Sequence, residues 1–307
     1  MLSTAALQAQ VPGRIAAVDR ARSIYSTSFP IDDLVVTLAD GSRLELVHKD
    51  LAWEALLPGA RRTKPRFLYD PGREIAVYRD LLDPTRHGTA RCYGVVADEG
   101  SGRFSVLLEK VNGVELYQVG DLELWQRVAR WLAAFHAEFA PRVAAGALDA
   151  VPLLAHDADF YRTWPARAAR FVRDQRLDWL VDRYDEIVDR LVGLPTTLVH
   201  GEFYASNVLV SGERVCPVDW EMAAIGPAMT DLAALTTGGA WSERDRASIA
   251  AAYGRERGHP VSGAELDTCR VGLALQWLGW AEAWTPPPDH AHDWLAEAVA
   301  ATERLGL

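Results

Sequence analysis

Two neighbouring stretches, "LVHGEFYASNVLV" and "VCPVDWEMAAIG", span residues 198–210 and 215–226. An apolar run delivers His200, Gly201 and Glu202 to a turn. Asn207 follows five residues after Glu202, then comes a second apolar run, and Asp219 stands inside the flank of a third. Short apolar runs bounded by turn residues read as buried strands. Polar side chains set at their ends need a reason, because a buried carboxylate without a partner is costly. Short strands flanking a loop can bring Glu202, Asn207 and Asp219 to one point. Such a set suits phosphoryl transfer: a carboxylate beside an attacking hydroxyl, and an amide oxygen with a second carboxylate for the ions that bridge the phosphates.

The first hundred or so residues are β-rich. "IDDLVVTLADGSRLELVHKDL" is two strand-like runs joined by Asp40-Gly41, a hairpin signal, and "CYGVVADEGSGRFSVLLEKVNG" repeats the pattern around a glycine-rich turn. Between them, Ile75, Val77, Tyr78, Leu81 and Leu82 have helical spacing, bounded by Pro71 and Pro84. The opening part is therefore expected to run hairpin, helix, hairpin. After Asn112-Gly113 the chain turns helical. Leu124, Val128, Trp131, Leu132 and Phe135 make one face of a long helix, and further helices over 159–194 are expected to break near Pro165. The expected architecture is α+β and bilobal: a small β-rich lobe, residues 1–112, and a larger helical lobe, residues 113–307, joined near Glu109 to Gly113.

Charge narrows the partners. Residues 1–112 carry a balance of +1 and residues 113–307 a balance of −11. An acidic C-terminal part argues against nucleic acid, whose backbone needs a basic face, and tolerates a cationic small molecule. No apolar run is long enough to span a bilayer, and no secretory leader is read at the N-terminus. Cys92, Cys216 and Cys269 are odd in number and widely spaced, as expected of reduced thiols in a cytoplasmic protein, monomeric or dimeric. The chain has 29 Arg but only three Lys, at 49, 64 and 110. A retained Lys points to drift or to a site that wants a compact point charge rather than a broad guanidinium fork.

"HGEFYASN" followed by "VDWE" has the shape of the kinase catalytic loop and its metal-binding acid. With "MTDLA" after it, the chain resembles the aminoglycoside phosphotransferase and choline kinase-like family, which shares the protein-kinase fold. Members typically read H-G-D-x-x-x-x-N and then I-D-W/F-E. The resemblance extends over nearly the whole chain and implies ATP and Mg²⁺ as cofactors. It implies that Lys49 binds phosphates and that Glu74 pairs with it. "VLLEKVNG", with Glu109 and Val111, resembles the hinge that receives adenine through backbone groups. "IYSTSF" stands where a phosphate loop belongs, and the small side chains of Ser26, Thr27 and Ser28 would let backbone approach phosphate; a plain turn explains them equally. Asn207 and Asp219 fall on the metal ligands, and Glu202 on the acceptor-facing base. His200 buttresses the loop, Asp231 matches an Asp that accepts hydrogen bonds from the loop backbone, and Glu221 either joins the metal site or lies against a neighbouring helix.

Glu202 departs from the family's Asp. The added methylene moves the carboxylate by about one bond length, and a ~1 Å misplacement can cost ~100-fold in rate. A loop adjusted to a Glu base is the favoured reading; a nucleotide-binding pseudoenzyme acting through a partner protein is the rival. A protein kinase is disfavoured, because no A-P-E segment follows Asp219. The expected acceptor is a small-molecule hydroxyl on an antibiotic, sugar or amino alcohol. Trp277, Trp280 and Trp284 at i, i+3 and i+7 would present one helix face, either core or an aromatic wall for a stacking or cationic acceptor, with Glu282 and Asp289 nearby.

Overall fold

Gly41, at φ +84°, closes the hairpin between β2 (Ile31–Leu38) and β3 (Arg43–Asp50). That positive φ carries no penalty for glycine and matches the twist of the paired strands. A second hairpin joins β4 (Cys92–Asp98) to β5 (Arg103–Glu109). β1 (Ile15–Arg22), which its weakly alternating sequence does not announce, pairs antiparallel along β2. The sheet order is β1-β2-β3-β5-β4. Leu34, Val36, Leu38, Leu46 and Leu107 form one buried face with Leu7 and Val11 from the segment holding α1 (Thr4–Gln8). Because side chains alternate along a strand, Lys49 falls on the face opposite Leu46. It lies across from Ile31 of β2 and Val106 of β5, on the central strand and one residue from its end.

The computed structural model describes residues 3–237, 241–280 and 292–307. They form two units: Met1–Gly113 with Leu209–Glu221, and Val114–Val208 with Met222–Leu307. The first holds the sheet, α2 (Pro58–Thr63), α3 (Pro71–Ala76) and α4 (Pro84–His87). Asp70 caps α3, accepting from Gly72 N at 2.8 Å, and Pro71 occupies the first turn, where its missing N–H costs nothing. The helix expected here continues past Ala76 as a π-helical turn, Val77–Leu81. The return segment is the hairpin β9 (Val208–Ser211) and β10 (Arg214–Pro217), turned by Gly212. Arg214 explains its place in this unit: it donates to Gly88 O (2.6 Å) and Thr89 O (2.8 Å) and grips Glu109 with two bonds, 2.6 and 2.9 Å.

The second unit contains β6 (Val114–Glu115), α5 (Leu122–Ala144), α6 (Ala158–Phe171), α7 (Gln175–Val181) and α8 (Tyr184–Val192). Helices α9 (Met229–Thr236), α10 (Glu243–Arg257), α11 (Gly263–Leu278) and α12 (Trp294–Arg304) complete it. β7 (Leu154–Ala155), β11 (Ala224–Pro227) and β8 (Thr196–Val199) make a three-stranded sheet in that order. α5 buries Trp125, Val128, Leu132 and Phe135. The expected break at Pro165 does not occur. α6 runs through it to Phe171, because Phe160, Tyr161, Trp164 and Ala168 are buried on both sides of the proline, and their packing outweighs one missing backbone bond.

Candidate active site

In the first unit, Lys49 Nζ lies 2.8 Å from Glu74 Oε2 and 2.6 Å from Asp219 Oδ1. β3 supplies the lysine, α3 the glutamate and the segment after β10 the aspartate. Burial alone would depress the Lys49 ammonium, but Asp219, Glu74 and Glu221 together hold it well above the ordinary lysine value. Glu74, 2 % exposed, is pushed up by burial to about 7 despite the pull of Lys49. Among the described residues, Asp219 is the one non-glycine with positive φ, +66°. Asp tolerates that region better than most side chains, yet any non-glycine there carries some strain that the surroundings must hold. Its side chain is 36 % exposed, far more open than Lys49 or Glu74.

Two residues further on, Glu221 Oε2 meets Lys64 Nζ at 2.5 Å. Arg73 donates from Nη1 to Leu68 O (2.9 Å) and Glu221 O (2.7 Å), stapling the return segment to α3. Phe29 contacts both ammonium groups, its ring centre 5.5 Å from Lys49 Nζ and 5.4 Å from Lys64 Nζ.

In the second unit, Gly201 at φ +82° turns the chain after β8. A Cβ there would stand 2.2 Å from Met222 O, so glycine is required. Asp231, fully buried, accepts from His200 N (2.7 Å) and Gly201 N (2.9 Å). His136 Nε2 lies 3.1 Å from it, and His136 Nδ1 bonds Tyr253 Oη at 2.9 Å. Burial would raise the Asp231 carboxyl, but the His136 hydrogen bond, with His136 and His200 beside it, holds it below its usual range. His200 Nδ1 accepts from Glu202 N (3.3 Å), and its ring meets Phe203 edge-on. Asn207 Nδ2 donates to Glu202 O at 3.0 Å, so its amide oxygen points the other way. Glu202 is half-buried beside Tyr204, whose phenol is pushed well above its ordinary value by burial and then by the Glu202 charge.

The remaining expected positions fall as follows. Ser26 spends its hydroxyl inside the β1–β2 turn, donating to Ile31 O and accepting from Ile31 N, both at 3.0 Å. Thr27 N donates to Tyr25 O, and Ser28 O accepts from Leu57 N. Glu109 gives its carboxylate to Arg214, whose hydrogen bond lowers its pKa. Val111 O accepts from Gly113 N at 3.1 Å. α11 ends at Leu278, so Trp277 and Trp280 do not share a helix face. Trp277 stacks on Trp294 (5.0 Å, 9°) and donates its indole N–H to Tyr204 Oη. Trp280 stacks instead on Trp164, with Arg167 bonded to Gly279 O and Trp280 O. Glu282, Trp284 and Asp289 lie outside the described residues.

The sequence matches the phosphotransferase enzyme family (APH) over residues 73–271, a span that contains Glu74, Glu202, Asn207, Asp219 and Asp231. The chain belongs to that family. No curated protein matches it. Among solved structures, this phosphotransferase is similar to a microcompartment-associated aminopropanol kinase: 18 % identity, 99 % of this chain and 97 % of that one, TM-score 0.65. It is similar to the choline kinase of Streptococcus pneumoniae, at 12 % identity over 98 % and 96 % of the two chains with a TM-score of 0.59. An aminoglycoside phosphotransferase of Streptomyces rimosus, solved with ADP and streptomycin, aligns at 15 % identity over 90 % and 96 %, TM-score 0.55. These likenesses establish the fold, a kinase-like α+β architecture.

Sequence reasoning passed over several residues of this phosphotransferase. His136 stands in "WLAAFHAEF", a helix that reads as amphipathic throughout, and nothing local marks it as the partner of Asp231. Lys64 had one signal, its rarity among arginines. Arg73 and Arg214 had none, since Glu221 O and Glu109, the partners that place them, lie more than a hundred residues away.

Proposed function

We propose that this phosphotransferase transfers the γ-phosphoryl group of ATP to a hydroxyl of a small molecule. The observation that carries the reading is Lys49 Nζ joined at once to Glu74 and Asp219. An ammonium with one buried and one open carboxylate is positioned to keep the first and release the second to an incoming ion. Lys49, held by Glu74, then contacts phosphate oxygens as a point charge. Backbone groups at Glu109 and Val111 receive the adenine, and backbone at Ser26, Thr27 and Ser28 borders the phosphates. Residues 1–112 thus serve the nucleotide, and residues 113–307 carry the catalytic loop and the acceptor pocket.

The donor set fits Mg²⁺. Each proposed ligand has that chemistry on its own: Asp219 offers an open carboxylate, and Asn207 an amide oxygen not used by the bond its nitrogen makes to Glu202 O. Both are hard oxygens, and Mg²⁺ is ordinarily held by one or two protein oxygens plus substrate phosphates. Among the described residues no three His, Cys, Asp or Glu side chains form a protein-only cage. When bound, the ion neutralises charge developing on the phosphates. Glu202 orients the acceptor hydroxyl and takes its proton, on a loop whose backbone Asp231 fixes. Next to Glu202 in sequence, Tyr204 joins the stacked Trp277–Trp294 pair; these rings favour an acceptor that is cationic or stacks on aromatics. The cytoplasm, where ATP and Mg²⁺ are abundant and three free thiols stay reduced, suits this activity. No helix among the described residues is long and apolar enough to cross a membrane.

Thermal unfolding with ATP, with and without Mg²⁺, tests the reading. Stabilisation by ligand follows its concentration over Kd, so wild type should gain with MgATP and Asp219→Asn should not. Stabilisation indifferent to Mg²⁺ and to the substitution would favour a pseudoenzyme. No stabilisation under any condition would sink the phosphotransfer reading.

A further inference from the structure

Two of the chain's three lysines stand in one cluster, in a sequence that writes 29 of its 32 cations as Arg. The third, Lys110, pairs with Asp33 in a half-exposed position. Lys64 is different: its side chain is 5 % exposed and its ammonium sits on Glu221 Oε2. The ring of Phe29 lies against that ammonium as it does against Lys49, a contact that favours a cation. Glu221 follows Asp219 by two residues, and Arg73 fixes its backbone through the carbonyl. Three carboxylates, Glu74, Asp219 and Glu221, thus face two ammonium groups in this part of the first unit.

Kinase sites of this type can use two divalent ions to neutralise the phosphates. A second ion would need another carboxylate beside Asp219, and Glu221 has the right type and spacing. An ion taken on Glu221 Oε2 would displace Lys64 and cost that buried ammonium its ion pair, which is strongly unfavourable. We propose that Lys64 stands in for a second divalent ion: by holding Glu221 it supplies the second positive charge and limits the site to one metal. Lys64 is a positioning residue that acts through Glu221. The inference rests on the phosphotransfer reading above.

The test counts metal ions directly. Mn²⁺ binding is followed by electron paramagnetic resonance in the presence of saturating ADP. Wild type should bind one Mn²⁺ per chain. Lys64→Met, which frees Glu221, should bind two, and Lys64→Met/Glu221→Gln should return to one. Two ions on wild type, or one on a folded Lys64→Met protein, would overturn the proposal. Circular dichroism and the thermal midpoint establish folding. Should Lys64→Met fail to fold, Glu221→Gln alone decides: Mn²⁺ affinity within about twofold of wild type supports the proposal, and a loss of tenfold or more identifies Glu221 as a ligand and refutes it. Wild type that binds neither ADP nor Mn²⁺ would refute the phosphotransfer reading itself, an outcome distinct from two ions on a nucleotide-binding protein.

Discussion

The Lys49 cluster and the Asp231 network each centre on a buried carboxylate, yet the two acids are moved in opposite directions. Glu74 is raised to about 7, whereas Asp231 is lowered. Burial pushes both up; their partners differ. Asp231 collects two backbone N–H groups and an imidazole, donors that stay where the fold puts them. Glu74 has an ammonium that it shares with Asp219. A carboxylate satisfied by fixed donors is finished structure. One satisfied by a shared, movable charge can be rearranged by whatever arrives. The first kind suits a loop that must not move, the second the role proposed for the Lys49 cluster, in which partners are exchanged for phosphate and metal.

That contrast can be broken experimentally. Asp231→Asn should have the largest effect, a loss of about 3–5 kcal/mol in urea unfolding, because whichever oxygen becomes the amide nitrogen, its N–H faces a buried backbone donor, Gly201 N or His200 N. A loss below about 1 kcal/mol would mean the network is not the anchor described. Next comes pH. Glu74 binds its proton more tightly folded, at about 7, than at its ordinary 4.5. Its contribution therefore favours the folded state fully below pH ~4.5 and has vanished above ~7. Across that window wild type should lose on the order of 2–3 kcal/mol relative to Glu74→Gln. Asp231 has the reverse sign: its contribution holds above the usual carboxylate range and fails as pH falls below it. Parallel pH profiles for wild type and Glu74→Gln would erase the distinction.

Smaller effects sharpen it. Lys49→Met should cost only about 1–2 kcal/mol, since Glu74 can take up a proton, while MgATP-dependent stabilisation disappears. Glu202→Asp should leave stability within about 0.5 kcal/mol but change turnover by as much as ~100-fold; an unaffected Glu202→Ala enzyme would remove Glu202 from the chemistry. Ser26→Ala should cost about 1 kcal/mol for its two bonds to Ile31, with nucleotide binding intact.

Much of the fold was legible wherever the determinants were local. Asp40-Gly41, the helical spacing after Pro71 and the apolar runs around Glu202 carry their own turn and strand chemistry. β1 was missed because its exposed positions do not alternate cleanly, and Pro165 misled because a packed aromatic face outweighed its local cost. The polar residues at strand ends drew attention to Glu202, Asn207 and Asp219 for the same local reason. Lys64 with Glu221 and His136 with Asp231 could not be paired in advance: 157 and 95 residues separate them, and only the folded backbone brings them together.

Arg73 and Arg214 make the first unit discontinuous in the gene, since both hold residues 209–221 against elements encoded before residue 113. A chimera that exchanges only the leading segment with that of a relative would join one parent's Lys49, Lys64 and Arg73 to the other parent's Asp219 and Glu221. Recombination that respects the protein's own seams must carry both pieces together, with crossovers near residues 113, 208 and 221.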